Sequence, residues 1–399
     1  MSLAVKLSFK EQVAILDKCI YKARNLHTEL KHLGLTYNDL KYINNKPITP
    51  NSSQYLTPEN FNFAHHGIPV VSFFSGAGGL DIGFEYAGFE HLAAVEINSI
   101  FCETLRANRP HWSVLGPPDY SGDVQNRDEI FTVLSLKLGI STPFEGVFIG
   151  GAPCQSFSIA ANQRFSKYRE NFKRIGFSHS EYGNLIFDFI WYIKEFRPRA
   201  FLIENVTGLV DIDKGAQLSE ALNILQKSGY SISKPAILNA ADYGVPQNRC
   251  RLFIVGNRTS DKFIFPESSQ AIVPAYKAFE KSVDGLENHL TRQHKAESII
   301  RYIELEYGER DHLGRVDRLD PNLPSKTVIG GGMRGGGRSH LHPIIPRTLS
   351  VRESARLQTF PDKFIFCGSS ARQFTQVGNA VPPLLALQLA RSIYSQLYL

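Results

Sequence analysis

From Pro69 to about Gly256 this 399-residue chain repeats one pattern: a short apolar run, a turn, then a helical stretch. Residues 70–74, 92–95, 146–149 and 200–203 read as buried strands, and 232–238 and 251–255 as late ones. Helical periodicity over 80–87, 99–108, 185–196 and 218–227 falls among them. Strands joined by helices must run largely parallel, and the crossing helices then cover both faces of the sheet. The fold class is therefore α/β: a Rossmann-like, doubly wound, mostly parallel sheet. Alternation stops near Gly256, so 69–256 forms the first domain and 257–345 a second, smaller one. Within the latter, six glycines among residues 330–338 suit neither a helix nor a central strand. Residues 346–399 return to the first domain, with helices at 350–357 and 384–397 and Pro383 in the first turn of the last.

Residues 1–68 form a helical extension and linker. Apolar spacing predicts one helix over 8–33, with a Ser8–Glu11 capping box and a stop at Gly34. Residues 44–58, rich in Asn, Pro, Ser and Thr, read as linker. Residues 33–40 loosely resemble the turn and second helix of a helix-turn-helix, although an extra helical pair packed on the main domain accounts for them better.

Composition excludes several classes. No apolar run approaches the ~20 residues of a membrane helix, and Met1–Val5 begins no signal peptide, so a cytoplasmic protein with no membrane partner is expected. Five scattered cysteines without CxxC spacing indicate neither a disulfide framework nor a zinc site, and no metal is expected. A net charge of +6 permits a polyanionic partner without requiring one.

The loop Phe74-Ser75-Gly76-Ala77-Gly78-Gly79 joins a strand to a helix, where glycines allow close approach of a ligand. It is not the dinucleotide fingerprint, because position 81 is Asp. Glu96, ending the second strand, suits ribose hydroxyls, and Asp123, read near the tip of the third, suits an adenine amino group. S-adenosylmethionine (SAM) presents both groups. Cys154 follows the strand at 146–149, Glu204 follows Phe201-Leu202-Ile203, and Arg249 and Arg251 alternate along a strand. Cys250 between them points the other way and is expected in the core. Each residue alone has an ordinary structural reading: an inert buried thiol, a cap, a solvated strand face.

Gly150-Gly151-Ala152-Pro153-Cys154-Gln155, Glu204-Asn205-Val206 and Gln247-Asn248-Arg249-Cys250-Arg251, in that order behind the glycine loop, resemble the signatures of the DNA cytosine-5 methyltransferase family. The resemblance covers about residues 69–398. It implies the SAM-dependent methyltransferase fold with a smaller target-recognition domain at 257–345. It implies methyl transfer from SAM to carbon 5 of a cytosine flipped out of double-stranded DNA, through a covalent Cys154 adduct. Glu204, Arg249 and Arg251 would complete the catalytic set. Phe74, Gly76, Gly78, Gly79, Glu96, Asp123, Gly183, Asn184, Leu185 and Asn379 would surround SAM. Gln155, Ser156, Arg164 and Lys167 beyond the nucleophile, with Arg334 and Arg338 in the glycine run, would contact DNA. The segment 347–361 matches a further family block with a supporting role. A monomer that protects host DNA from a cognate restriction endonuclease is the implied setting. The alternatives are the tRNA-methylating branch of the family, a nicotinamide-dependent oxidoreductase, and a regulatory DNA-binding protein acting through residues 1–68.

Overall fold

Runs of apolar residues become strands here because both of their faces are covered. The computed structural model describes residues 7–153, 185–259, 262–268, 271–314, 316–330 and 340–399. The chain opens with α1 (Phe9–Tyr21) and α2 (Leu26–His32). Then come β1 (Pro69–Phe73), α3 (Gly79–Tyr86), β2 (Glu90–Val95), α4 (Ser99–Asn108), β3 (Ser113–Leu115) and α5 (Arg127–Thr132). They are followed by β4 (Val147–Gly151), α6 (Leu185–Phe196), β5 (Ala200–Asn205), α7 (Ala216–Lys227), β6 (Ser231–Ile232), β7 (Ala236–Asn239) and β8 (Cys250–Asn257). Later helices are α8 (Ala296–Ile303), α9 (Val351–Leu357), α10 (Ser370–Asn379) and α11 (Pro383–Leu397).

The strands form a single sheet in the order β3-β2-β1-β4-β5-β8-β6, with β7 also pairing β8. β3, β2, β1, β4 and β5 pair in parallel, and β8 runs antiparallel to β5, β6 and β7. The mostly parallel, doubly wound sheet expected from the alternation is the one the chain forms. From β1 the chain moves outward through β2 to β3, then returns to β4 on the other side. Strand order therefore reverses between β1 and β4, and the carboxyl ends of these strands are where such sheets bind ligands.

The chain divides into two compact units. The sheet unit comprises Leu56–Gly244, Arg249–Gln270 and Ala380–Leu399. Val71 and Phe73 of β1, Phe148 of β4 and Phe201 and Ile203 of β5 join a cluster with Phe189 and Ile193 of α6 and Leu225 of α7. The alternate strand residues Val70, Val147, Ile149 and Leu202 are equally buried, so neither face is open to water. Helices α3 and α11 approach so closely that a Cβ on Gly83 would stand 2.3 Å from the Ala386 Cβ. Only glycine fits at that crossing.

The other unit comprises Met1–Tyr55, Val245–Asn248 and Ala271–Asn379. Its core combines Leu16 and Cys19 of α1, Leu26 and Leu30 of α2, Tyr37 and Leu40 with Ile299, Tyr302 and Ile303 of α8. The N-terminal helices thus supply core to this unit. Residues 44–57 hold neither strand nor α-helix, but they are not loose within it. Buried Arg318 donates to the Asn44 carbonyl (2.9 Å) and Asn45 Oδ1 (2.6 Å) and lies over the Tyr42 ring at 3.5 Å. The Asn51 N–H donates to Tyr276 Oη (3.0 Å), and Tyr55 Oη donates to the Arg356 carbonyl (2.9 Å). The segment 347–361 is also tied inward: Arg347 forms a buried bidentate pair with Glu353, both bonds 2.8 Å, and Arg352 donates to the Pro361 carbonyl.

Two sequence expectations need correction. The single helix over 8–33 is two helices, because Ala23 takes a left-handed backbone (φ 47°) and Asn25 caps a new start through the Thr28 N–H. The capping box of Ser8 and Glu11 is present, and Gly34 (φ 67°) does end the second helix. The helix-turn-helix likeness ends at residues 37–39, where a single 3-10 turn (Tyr37–Asp39) takes the place of a second helix.

Candidate active site and cofactor loop

At the carboxyl end of β1 the backbone turns left-handed at Phe74 (φ 55°), Gly76 (φ 57°) and Gly78 (φ 76°). Such a conformation costs a non-glycine residue on the order of 1 kcal/mol or more, so Phe74 is held there against its own preference. Phe74 packs edge-on to Phe189, 6.3 Å between centroids. Gly78 caps α3, and Gly79 lies so near the Val381 carbonyl that a Cβ would meet it at 2.2 Å. Asp81, the residue that excludes the dinucleotide fingerprint, is a core staple. It is wholly buried and meets His91 Nε2 at 2.8 Å, with the His91 ring stacked on Trp112.

Glu96 follows β2, and its carboxylate closes the loop. Oε2 accepts the Gly76 N–H (2.8 Å) and Oε1 accepts the Asn98 N–H (2.7 Å). Burial pushes Glu96 up to about 7, against the lowering effect of those two N–H groups. Asn98 is a site residue the sequence reading overlooked, although an Asn directly before a helical run is an N-cap signal. It caps α4 through the Ile100 and Phe101 N–H groups while its own N–H holds Glu96. Gly116 and Gly122 both press on the Glu96 carbonyl, where a Cβ on either would stand 2.1 Å away. Gly122 thereby brings the neighbouring Asp123 to the Glu96 backbone. Asp123 lies between β3 and α5, with Oδ1 accepting the Gln125 N–H (2.9 Å). The loop glycines, Phe74, Glu96 and the chain at Asp123 therefore converge. Leu185 is buried at the start of α6. Asn379 ends α10 in the other unit, its Oδ1 where a Cβ on Gly330 would fall at 2.4 Å. Gly183 and Asn184 lie outside the described residues.

A second convergence lies at the ends of β4 and β5. Gly151 pairs with Glu204, and a Cβ on Gly151 would stand 2.7 Å from Glu204 Oε2. Gly151 is therefore the residue that admits this carboxyl over β4, a role the sequence reading did not assign. Glu204 pairs across to Phe253 of β8, and Arg251 Nε reaches Glu204 Oε1 at 3.0 Å. Arg249, fully buried just before β8, is fixed by its N–H to Asn239 Oδ1 (2.8 Å) and its carbonyl to the Ala240 N–H (3.0 Å). Burial raises the Glu204 pKa, and the charges of Arg251 and Arg249 oppose that rise. Burial, with Arg251 beside it, pushes Arg249 down, and Glu204 offsets this.

Cys250 was expected in the core and is exposed. It does alternate with the arginines, but it is the first residue of β8, paired with Asn239 at the end of β7, and its face is uncovered there. Gln247, in the same motif, is wholly buried and acts within its own unit. Its Nε2 donates to Gln358 Oε1 (2.9 Å) and its Oε1 accepts the Val328 N–H (2.8 Å). Cys154 and the DNA-contact candidates Gln155, Ser156, Arg164, Lys167, Arg334 and Arg338 lie outside the described residues; Pro153, which precedes Cys154, is described two residues beyond β4. Among the described residues no group of three His, Cys, Asp or Glu side chains is placed to hold a metal ion, and no helix is long and apolar enough to cross a membrane.

The family model for C-5 cytosine-specific DNA methylases matches residues 68–395. The chain belongs to that family. It is a DNA cytosine-5 methyltransferase by family, with the SAM-dependent methyltransferase fold. Type II methyltransferase M.PspPI of Psychrobacter sp. is 35% identical over 358 residues, covering 82% of this chain and 79% of the relative. Type II methyltransferase M.Eco47II of Escherichia coli is 32% identical over 367 residues, covering 84% and 81%. A crystal structure of an E. coli prophage-encoded protein, described as a DNA modification methyltransferase, superposes with a TM-score of 0.64 at 26% identity. That match covers 83% of this chain and 99% of the other.

Proposed function

We propose that this methyltransferase moves a methyl group from SAM to carbon 5 of a specific cytosine in double-stranded DNA, through a covalent Cys154 adduct. The observation that carries the reading is the pairing of the buried Glu204 carboxyl with Arg251 at the carboxyl end of β5, beside β4, the strand that leads to Cys154. The residues at the β1 end fit SAM. Glu96 offers a buried carboxylate for ribose hydroxyls, and the left-handed turn at 74–78 lets backbone approach a ligand. When bound, SAM supplies an electrophilic methyl group.

The protein's own part begins at carbon 6 of the cytosine. The Cys154 sulfur bonds to that carbon as a thiolate, and the ring electrons move toward N3. A free thiol, with a pKa of about 8.5, is only a few per cent ionised at neutral pH. The site must therefore lower that pKa or couple the addition to protonation at N3. Glu204 is suited to this, since burial raises its pKa above that of an ordinary glutamate. Arg251 fixes the carboxyl, and the charged guanidiniums stabilise the carboxylate left after transfer. Once carbon 5 carries the methyl group, its proton passes to a water base as the C–S bond breaks, and N3 returns its proton to the Glu204 carboxylate, which restores the thiolate, the acid and the aromatic ring. The target base is reached by flipping, since neither carbon 5 nor carbon 6 is open to a nucleophile within the stack.

Two relatives carry the name type II methyltransferase, and the proposed setting is duplex DNA as substrate, with protection from a partner endonuclease. Bisulfite sequencing of DNA from cells expressing the chain tests this. Resistant cytosines confined to one short sequence context are expected. DNA converted as completely as in cells without the chain, together with methylated tRNA, would contradict it.

Replacing Glu96 with alanine is expected to weaken SAM binding by roughly 1–3 kcal/mol, the scale of hydrogen bonds to a charged group, with little change in DNA affinity. Because Glu96 titrates at about 7, the deficit should be greatest above that pH, where wild type carries the charged acceptor, and shrink below it. Calorimetry across pH 6 to 8.5 (about neutrality on either side) measures both. Equal SAM affinity at the alkaline end would reduce Glu96 to a backbone brace.

A further inference from the structure

The net positive charge of the protein lies in one unit. Met1–Tyr55, Val245–Asn248 and Ala271–Asn379 hold 24 Lys and Arg against 16 Asp and Glu, whereas the sheet unit holds 20 against 22. One of these cations, Lys31, lines a cavity of about 440 Å³ together with His27, Thr36, Asn38, His289 and Thr291, over an apolar floor that includes Tyr37. No acidic side chain lines it. On the neighbouring helix surface the cations are neutralised: Lys18 and Arg24 both pair with Glu29. Lys31 has no ion-pair partner among the described residues.

The walls of the cavity are fixed. Tyr37 Oη accepts the His294 N–H (2.9 Å) and donates to the His294 carbonyl (3.2 Å), which pins the turn after α2 to the chain at 289–294. The His27 ring stacks on Tyr37 with centroids 6.1 Å apart. His289 is oriented by its Nδ1 contact with Ser350 Oγ (3.0 Å). The Thr36 hydroxyl is committed to Asp39 Oδ2 (3.0 Å), but one ammonium, two imidazoles, the Thr291 hydroxyl and the Asn38 amide remain, on braced backbone and with no acidic lining residue. That set matches a phosphodiester: donors around, apolar contact beneath for the sugar. Seven of its nine lining residues precede the family match at 68–395.

We propose that this cavity seats a backbone phosphate of duplex DNA, making residues 27–38 part of the DNA interface. The proposal rests on the reading of the chain as a methyltransferase of duplex DNA. It assigns the N-terminal helices a second task beside completing the core: holding the strand through its backbone, without reading bases.

The test uses the full chain, with DNA binding measured by fluorescence anisotropy on specific and unrelated duplexes over a salt series. Lys31→Ala should make the log K against log salt slope shallower by about one, since one phosphate contact removes about 0.9 of a released counterion. Both duplexes should lose affinity by the same factor, as a backbone contact requires. Thr291→Glu, which puts a negative charge in the cavity without removing a lysine, should weaken both further. Lys22→Ala, on an exposed cation outside the cavity, should leave the slope within error of wild type. Thermal unfolding of each variant checks that the unit remains folded. An unchanged slope in folded Lys31→Ala and unchanged affinity in Thr291→Glu would overturn the proposal, as would an equal effect from Lys22→Ala. Wild-type chain that binds duplex DNA without methylating it would instead overturn the proposed function, so the two failures are distinguishable.

Discussion

Cys154→Ala is expected to abolish methyl transfer to duplex DNA while leaving SAM affinity nearly unchanged. The size of the effect follows from the chemistry. Carbon 5 of cytosine is a poor nucleophile, and only addition at carbon 6 gives it enamine character. Removing the sulfur removes the addition itself, so the loss should exceed the roughly 10²–10⁴-fold cost of deleting a single acid–base group. SAM binding should survive because its candidate residues belong to other segments: the turn at 74–79, Glu96 after β2, and the chain beyond β3. Single-turnover assays and calorimetry on the same preparation separate the two. Turnover retained by the variant would remove Cys154 from the mechanism.

Glu204→Gln should lower the single-turnover rate by about 10²–10⁴-fold at neutral pH. The amide keeps the shape that Gly151 admits and can still accept from Arg251, but it has no acidic proton to give N3. DNA affinity should change far less than the rate, so the deficit belongs to the chemical step. The pH dependence carries a sign. Burial raises the Glu204 pKa above that of an ordinary glutamate, so wild type loses the proton donor as pH rises through that raised value. The variant should lose that alkaline decline. Stability should move the same way: a carboxyl whose folded pKa is raised stabilises the fold fully below its unfolded value and ceases to as pH passes the folded one. An unchanged rate in Glu204→Gln would leave Arg251 and Glu204 as a structural ion pair only.

The parallel strands were legible because burial on both faces leaves continuous apolar runs, such as Phe201-Leu202-Ile203, that little else explains. Helix α4 was legible from its bounds, 99–108. Helix α10 was not, because its buried face carries Gln373 and Gln376 beside Phe374 and Val377. Their Nε2 groups donate to the Gly368 and Cys367 carbonyls, partners that no periodicity reveals. The break between α1 and α2 was hidden for the opposite reason. Apolar positions continue in helical phase through Ala23 and Leu26, while one left-handed residue interrupts the backbone. In the site, residue types announced Glu96, Glu204, Arg249 and Arg251. Gly151 and Asn98 did not stand out, since their roles are steric room and a backbone N–H, which side-chain chemistry does not advertise. Cys250 was misread because alternation gives the face of a residue and not what covers that face.

The covalent adduct is tested most directly with duplex DNA carrying 5-fluorocytosine at the target position. Addition of Cys154 and methyl transfer can proceed, but fluorine does not leave as a proton does, so the C–S bond cannot break. The account predicts a SAM-dependent protein–DNA adduct that survives denaturing electrophoresis and maps by mass spectrometry to the peptide containing Cys154. Methylation of ordinary cytosine without such an adduct would contradict it, and an adduct on Cys250 or Cys102 would name a different thiol.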